Sequence, residues 1–348
     1  MYIGKLRAQL GFAVFILFLL PFIFVLAIWF INSYVYNVKY TTGDWIFILG
    51  TAGGWAVFQI ILLYFIGPAS IERHYADRIQ WISSDYDSKL WDMIYTRAKE
   101  AKVGLVKVGV LQTDEINAFV YGYGKKKGRL VLTQGLLKHL DFDEVEGVVG
   151  HELGHVRHRD MSITLMLIAV PTLISSLYRF TFYTGRGRRD RNNMWMILII
   201  IVLFFATYIA SLLLIRYVSR VREYYADAHS VELLKDPRPI VQGLAKLTYK
   251  NAITQDAYIK IHTNTHALMI VSPMASAHQA DEARKTIAKV KVDLDKYGDI
   301  GGTDIDEEKL EEAMEKELKG GESLMRTHPL TAKRILGALK YAEELKLV

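Results

Sequence analysis

The chain has 348 residues, enough for one large domain or two small ones, and 51% of them are hydrophobic, more than a soluble enzyme of that length needs. It contains no cysteine, which excludes disulfides and thiolate-held zinc, so any metal site must be built from His, Glu and Asp. The formal net charge of +6 comes without aromatic residues interleaved among the basic ones, which argues against nucleic acid and for a surface facing anionic lipid.

Four apolar runs are long enough to cross a bilayer. The first, Leu10 to Ile31, follows Lys5 and Arg7 and carries no charge, too long for a cleaved leader. The second runs from Trp45 to Ile66 and ends at Gly67-Pro68, with Gly50 and Gly54 spaced for close helix packing. The third runs from Ile163 to about Phe182, and the fourth from Met194 to Ile215. Lys5 and Arg7 set the N-terminus on the cytoplasmic side, so two crossings return the chain there for its polar middle part. The loop with Arg186, Arg188, Arg189 and Arg191 conflicts with this count, which puts it outside. Either the last two runs form a shallow hairpin or the loop breaks the positive-inside tendency; the earlier spans dominate, and the expectation is a multi-pass protein of the cell membrane with a cytoplasmic polar domain.

The predicted polar elements begin with a helical pattern from Ile71 to Lys102, on which Trp81, Leu90, Ile94 and Ala98 share a face. Short strands follow at Lys107–Val110, Ala118–Tyr121 and Arg129–Thr133, the last two joined by the Gly122–Gly128 turn. A helix from Thr133 leads into His151-Glu152-Leu153-Gly154-His155. Histidines four apart on a helix project from one face, so His151 and His155 can reach one zinc ion. Glu152 between them is then placed to take a proton from water beside the metal. Asp143 and the Val145, Val148, Val149 stripe suit a buried helix with an acidic start.

A catalytic zinc needs a third protein ligand. Glu223 and Asp227 lie four apart in Arg222-Glu223-Tyr224-Tyr225-Ala226-Asp227-Ala228: Glu223 can ligate, and Asp227 can accept the N–H of a ligating histidine. Taken alone this is an ordinary surface cluster. His155, however, lies eight residues before the third run and Glu223 eight after the fourth ends. At the helical rise both sit roughly 12 Å from the apolar boundary, at matched heights on two antiparallel helices. The stretch from Ala252 to Gly321 carries no chemical motif and reads as a solvated lid or arm.

His-Glu-Leu-Gly-His, a hydrophobic hairpin, and then Arg-Glu-Tyr-Tyr-Ala-Asp-Ala resemble the HtpX family of membrane zinc metalloproteases, relatives of the CAAX prenyl endoproteases. The resemblance implies a mainly α membrane protein, with four transmembrane helices and a gluzincin-type protease domain holding a small antiparallel sheet. One zinc per chain would be held by His151, His155 and Glu223, with Glu152 as general base and Asp227 supporting a ligand. It further implies that Asn117, Ala118 and Phe119 form an edge strand that pairs with substrate backbone. Thr327-His328-Pro329 and Arg334 resemble the family's C-terminal element, in which His328 would bond the oxyanion and Arg334 assist. The expected domains are an N-terminal hairpin (1–70), the first catalytic part (71–160), a second hairpin (161–216) and the second catalytic part (217–348). The expected function is degradation of misfolded or short-lived membrane proteins, within stress response and quality control. The alternatives are a processing protease of the CAAX type and a non-catalytic zinc-binding scaffold; retention of Glu152 speaks against the last.

Overall fold

A computed structural model describes residues 2–31, 33, 41–184, 194–255, 314 and 329–347. Its elements in chain order are α1 (Tyr2–Phe30), α2 (Thr42–His74), β1 (Ile79–Trp81), α3 (Ser88–Glu100), β2 (Leu105–Leu111), β3 (Ala118–Gly122), β4 (Gly128–Thr133), α4 (Gln134–His139), α5 (Phe142–Arg157), α6 (Asp160–Thr184), α7 (Met194–Leu234), α8 (Arg238–Gln255) and α9 (Thr331–Glu344). The chain divides into two compact units. One comprises Met1–Ala8, Ile71–Met161 and Ser219–Val348; the other comprises Gln9–Ser70 and Ser162–Val218. Residues 1–8, grouped by the sequence with the first hairpin, thus cluster with the polar unit.

In the apolar unit, Ala13 and Leu17 of α1 pack with Leu167, Val170 and Ile174 of α6 and Val218 of α7. Farther along, Phe24 and Ile28 meet Ile48 and Ala52 of α2 and Leu177 of α6. The opposite faces stay apolar and uncovered, with Phe12, Phe15, Phe22, Phe47 and Phe58 all exposed. A helix that is hydrophobic on every side suits a lipid surround. Its hydroxyls turn inward: Thr51, Ser175, Ser176 and Thr207 each donate to a carbonyl one turn back, as a span without water must arrange. Among the described residues, four helices are long and apolar enough to cross a membrane by length and composition. Gly50 and Gly54 do not mediate close packing among the described residues, for a Cβ at either would meet nothing within 4 Å.

The polar unit is built on a four-stranded sheet of order β1-β2-β4-β3. The sheet is mixed, not antiparallel as expected: β4 inserts between β2 and β3, antiparallel to its hairpin partner β3 and parallel to β2. Gly122 (φ 141) and Gly124 (φ 80) supply the left-handed backbone that the hairpin requires. The predicted helix over 71–102 is likewise interrupted. Ile79–Trp81 pairs with Leu111–Gly109 as a strand, and the helix restarts only after Asp87, whose carboxylate accepts the Leu90 N–H at 3.0 Å. Alternation sorts the side chains by sheet face. Val108, Val110, Ala118, Leu130 and Leu132 join the main core with Val145, Val148, Val149 and Leu153 of α5. Phe119, Tyr121 and Val131 face Tyr75 and Ile79 on the other side.

The helix carrying the histidine motif is fixed at its start. Glu144 accepts the Asp141 N–H at 2.7 Å, and the buried Lys246 of α8 binds Glu144 at 2.9 Å and Asp141 at 3.0 Å. Arg97 of α3 reaches Glu146 at 2.7 Å.

Candidate metal centre

Three glycines on one side of α5 determine how near its neighbours come. A Cβ on Gly147 would strike the backbone of Pro239 and Ile240, one on Gly150 would meet Ser230, and one on Gly154 would lie 3.0 Å from the Cα of Ala226. The Ser230 hydroxyl donates to the Gly147 carbonyl at 2.7 Å, tying α7 to α5. This close approach brings Glu223 of α7 to the two histidines of α5. The Nε2 atoms of His151 and His155 are 3.1 Å apart. Glu223 Oε2 lies 3.7 Å from His151 Nε2, and its Oε1 lies 3.6 Å from His155 Nε2. One ligand atom from each of the three residues falls within 4.8 Å of the others.

Each imidazole is held from behind by a carboxylate. Asp227, one turn after Glu223, approaches His151 Nδ1 at 2.9 Å. Asp160 approaches His155 Nδ1 at 2.6 Å. With Nδ1–H donated to a carboxylate, Nε2 carries the lone pair and faces the convergence point. Asp160 was not foreseen. It reaches His155 because Arg159 turns the chain with a left-handed φ of 59° and starts α6 beneath the motif. Arg222 Nε stands 3.2 Å from Asp160, and Arg334 of α9 clasps Asp227 through Nε at 2.9 Å and Nη2 at 2.6 Å. A third guanidinium nitrogen of Arg334 is 3.5 Å from Glu223.

Arg334 is only 1% exposed. The structure places its guanidinium on Asp227, behind the ligands. His328 lies outside the described residues, as do the loop arginines 186, 188, 189 and 191 and nearly all of 252–321. Glu152 is buried; burial pushes its carboxyl up, with His155 and His151 working in the opposite direction. Ala118 and Phe119 open β3, which is an edge of the sheet among the described residues. Both residues are buried, Ala118 completely. Asn117 precedes the strand, and its backbone is engaged by Thr133. The Asn117 N–H donates to the Thr133 hydroxyl at 2.9 Å, and its carbonyl accepts that hydroxyl at 2.8 Å and the Thr133 N–H at 3.0 Å.

The donor set fits a divalent cation. Two imidazole nitrogens and a carboxylate are zinc-type ligands, three in number, as sites with an open position have. With the ligand Glu223, the carboxylates of Glu152, Asp227 and Asp160 outnumber the guanidiniums of Arg222 and Arg334, an excess of negative charge that a divalent cation balances. Burial alone would lower His155, yet the hydrogen bond it donates to Asp160 and the nearby Glu223 outweigh it and raise the imidazole to about 9. The site favours positive charge at its centre.

Two helices that present His-x-x-x-His and a glutamate to one point, with a buried carboxylate between the histidines in sequence, form the centre of a metallopeptidase. The profile of peptidase family M48 matches residues 86–342, and the chain belongs to that family. The "Protease HtpX homolog" of Methanothermobacter thermautotrophicus is 31% identical over 191 residues, covering 55% of this chain and 70% of that one. The protein of the same name from Leuconostoc citreum is 33% identical over 177 residues, covering 47% and 60%. Among solved structures, S. mikatae Ste24p aligns over 97% of this chain and 65% of its own, with a TM-score of 0.49 and 17% identity. The protein is thus a metalloprotease with the four apolar helices of a multi-pass membrane protein.

Proposed function

We propose that the protein is a zinc-dependent endopeptidase that cleaves membrane or membrane-associated proteins near the cytoplasmic face of the bilayer, in quality control of misfolded chains. The observation that carries this reading is the convergence of His151, His155 and Glu223, each histidine backed by its own carboxylate. When bound there, zinc supplies Lewis acidity toward the scissile carbonyl and toward water.

The remaining steps belong to the chain. Glu152 receives the proton from the attacking water and delivers it to the leaving amine, work for which a carboxyl held above its ordinary range is better suited than one held below. Asp227 and Asp160 keep both ligating imidazoles in one tautomer. Arg334 keeps Asp227 ionised and in place. The edge of β3 receives an extended segment of substrate through main-chain bonds, which makes binding tolerant of sequence. The cytoplasmic orientation rests on Lys5 and Arg7 before the first span.

Purified protein in detergent, given an unfolded membrane substrate, should cleave it, stop on chelation and recover on addition of zinc. Cleavage that is indifferent to chelator would refute the proposal.

A further inference from the structure

One stripe of α9 carries Arg334, Gly337, Tyr341 and Glu344, spaced so that they lie on a single helical face. Arg334, at the start of the stripe, clasps Asp227, which in turn holds His151. The other three all meet Tyr2. The Tyr2 backbone N–H donates to both carboxylate oxygens of Glu344, at 2.8 and 2.7 Å. The Tyr2 ring stands 6.1 Å from that of Tyr341. Its hydroxyl occupies the space left by the missing side chain of Gly337, so that a Cβ there would overlap the phenol oxygen, while the ring carbon behind it would stay 3.4 Å away. Ile3 adds a tie to α7, since its carbonyl accepts the Tyr225 hydroxyl at 3.4 Å. Tyr225 lies two residues from both Glu223 and Asp227.

From this arrangement we infer that Tyr2 is a positioning residue for the metal centre. Its phenol, seated on Gly337, sets how closely α9 lies against α7, and thereby where the Arg334 guanidinium meets Asp227 and how firmly Asp227 orients His151. The inference rests on the metal reading above. A glycine inside a helix is otherwise unfavourable, because alanine is the better helix former. Gly337 is explained by the hydroxyl it admits.

The test is a cycle of Tyr2→Phe, Gly337→Ala and the double variant in the full-length protein, with zinc affinity, thermal midpoint and kcat measured on each. Gly337→Ala alone should lower zinc affinity, by less than the roughly 10- to 100-fold expected when a ligand's supporting group is itself removed. It should also lower the midpoint, and kcat with little change in KM. Tyr2→Phe combined with Gly337→Ala should restore affinity and kcat to near wild type and raise the midpoint above that of Tyr2→Phe, the sign that helix propensity dictates once the clash is gone.

A double variant as defective as Gly337→Ala overturns the inference, and so does a Gly337→Ala protein with wild-type zinc affinity. A midpoint that falls while the folded protein binds zinc normally also overturns it, since Tyr2 would then only stabilise the fold. Should Gly337→Ala fail to fold, recovery of folded, zinc-binding protein in the double variant still decides the matter. Wild-type protein without zinc would strike the metal reading; zinc in the wild type with an uncoupled cycle strikes this inference alone.

Discussion

Gly154 of α5 packs directly on the backbone of α7 at Ala226, close enough that a methyl group would come 3.0 Å from the Ala226 Cα. These are the two helices that carry the three candidate ligands, so the separation at this contact sets the separation of His155 from Glu223.

Gly154→Ala should therefore weaken the site without touching a ligand. The added methyl meets backbone, which cannot rotate away, and forcing it in should cost about 1–3 kcal/mol. The measurement is zinc competition with a chromophoric chelator, alongside the thermal midpoint. Wild-type affinity would mean that the α5–α7 distance does not govern the site.

Asp160→Ala and Asp227→Ala separate two kinds of support. Each removes the carboxylate behind one histidine and should lower zinc affinity by roughly 10- to 100-fold. Asp227→Ala also strands the buried Arg334, and breaking a buried pair in that way costs about 3–5 kcal/mol. The Asp227 variant should lose much more of its midpoint than the Asp160 variant, whose partner Arg222 is less deeply buried. Equal losses in a melting series would refute the role given to Arg334.

Much of this was legible in the chain. The four apolar runs, the three strands at 105–133 and the spacing of His151, His155, Glu223 and Asp227 are periodic or motif-like signals, and period is what a sequence displays. What escaped depends on partners rather than on period. The strand Ile79–Trp81 has three residues and exists because β2 offers an edge. The parallel pairing of β2 with β4 follows from where a hairpin lands. Asp160 finds His155 through one left-handed residue that propensity gives no reason to expect at an arginine. The resemblance has Arg334 assisting His328 at the oxyanion; its contact with Asp227 depends on the packing of α9. Gly147, Gly150 and Gly154 stood in plain view at helical spacing; their meaning needed the opposing helices.

The β3 edge predicts a period of two in substrate recognition. In a peptide series, N-methylation at residues whose N–H would face β3 should raise KM about 3- to 10-fold for each bond lost. Methylation at the intervening residues should not. A flat profile along the peptide would exclude strand pairing as the mode of binding.

Cut sites report on orientation. On a polytopic substrate of known topology, mass spectrometry should find cuts in cytoplasmic loops or juxtamembrane segments. Cuts confined to the outer face would reverse the orientation assigned from Lys5 and Arg7 and side with the arginine-rich loop.

The central claim is that His151, His155 and Glu223 hold the metal while Glu152 moves the proton, and Glu152→Gln tests it most directly. The amide keeps the size of the side chain, touches no ligand position and cannot accept a proton. Turnover of casein by the purified variant should fall by about 100-fold or more, the scale of general-base catalysis. Zinc content, measured on the same sample, should equal that of the wild type. Turnover near the wild-type rate, or loss of the zinc together with the activity, would contradict the account.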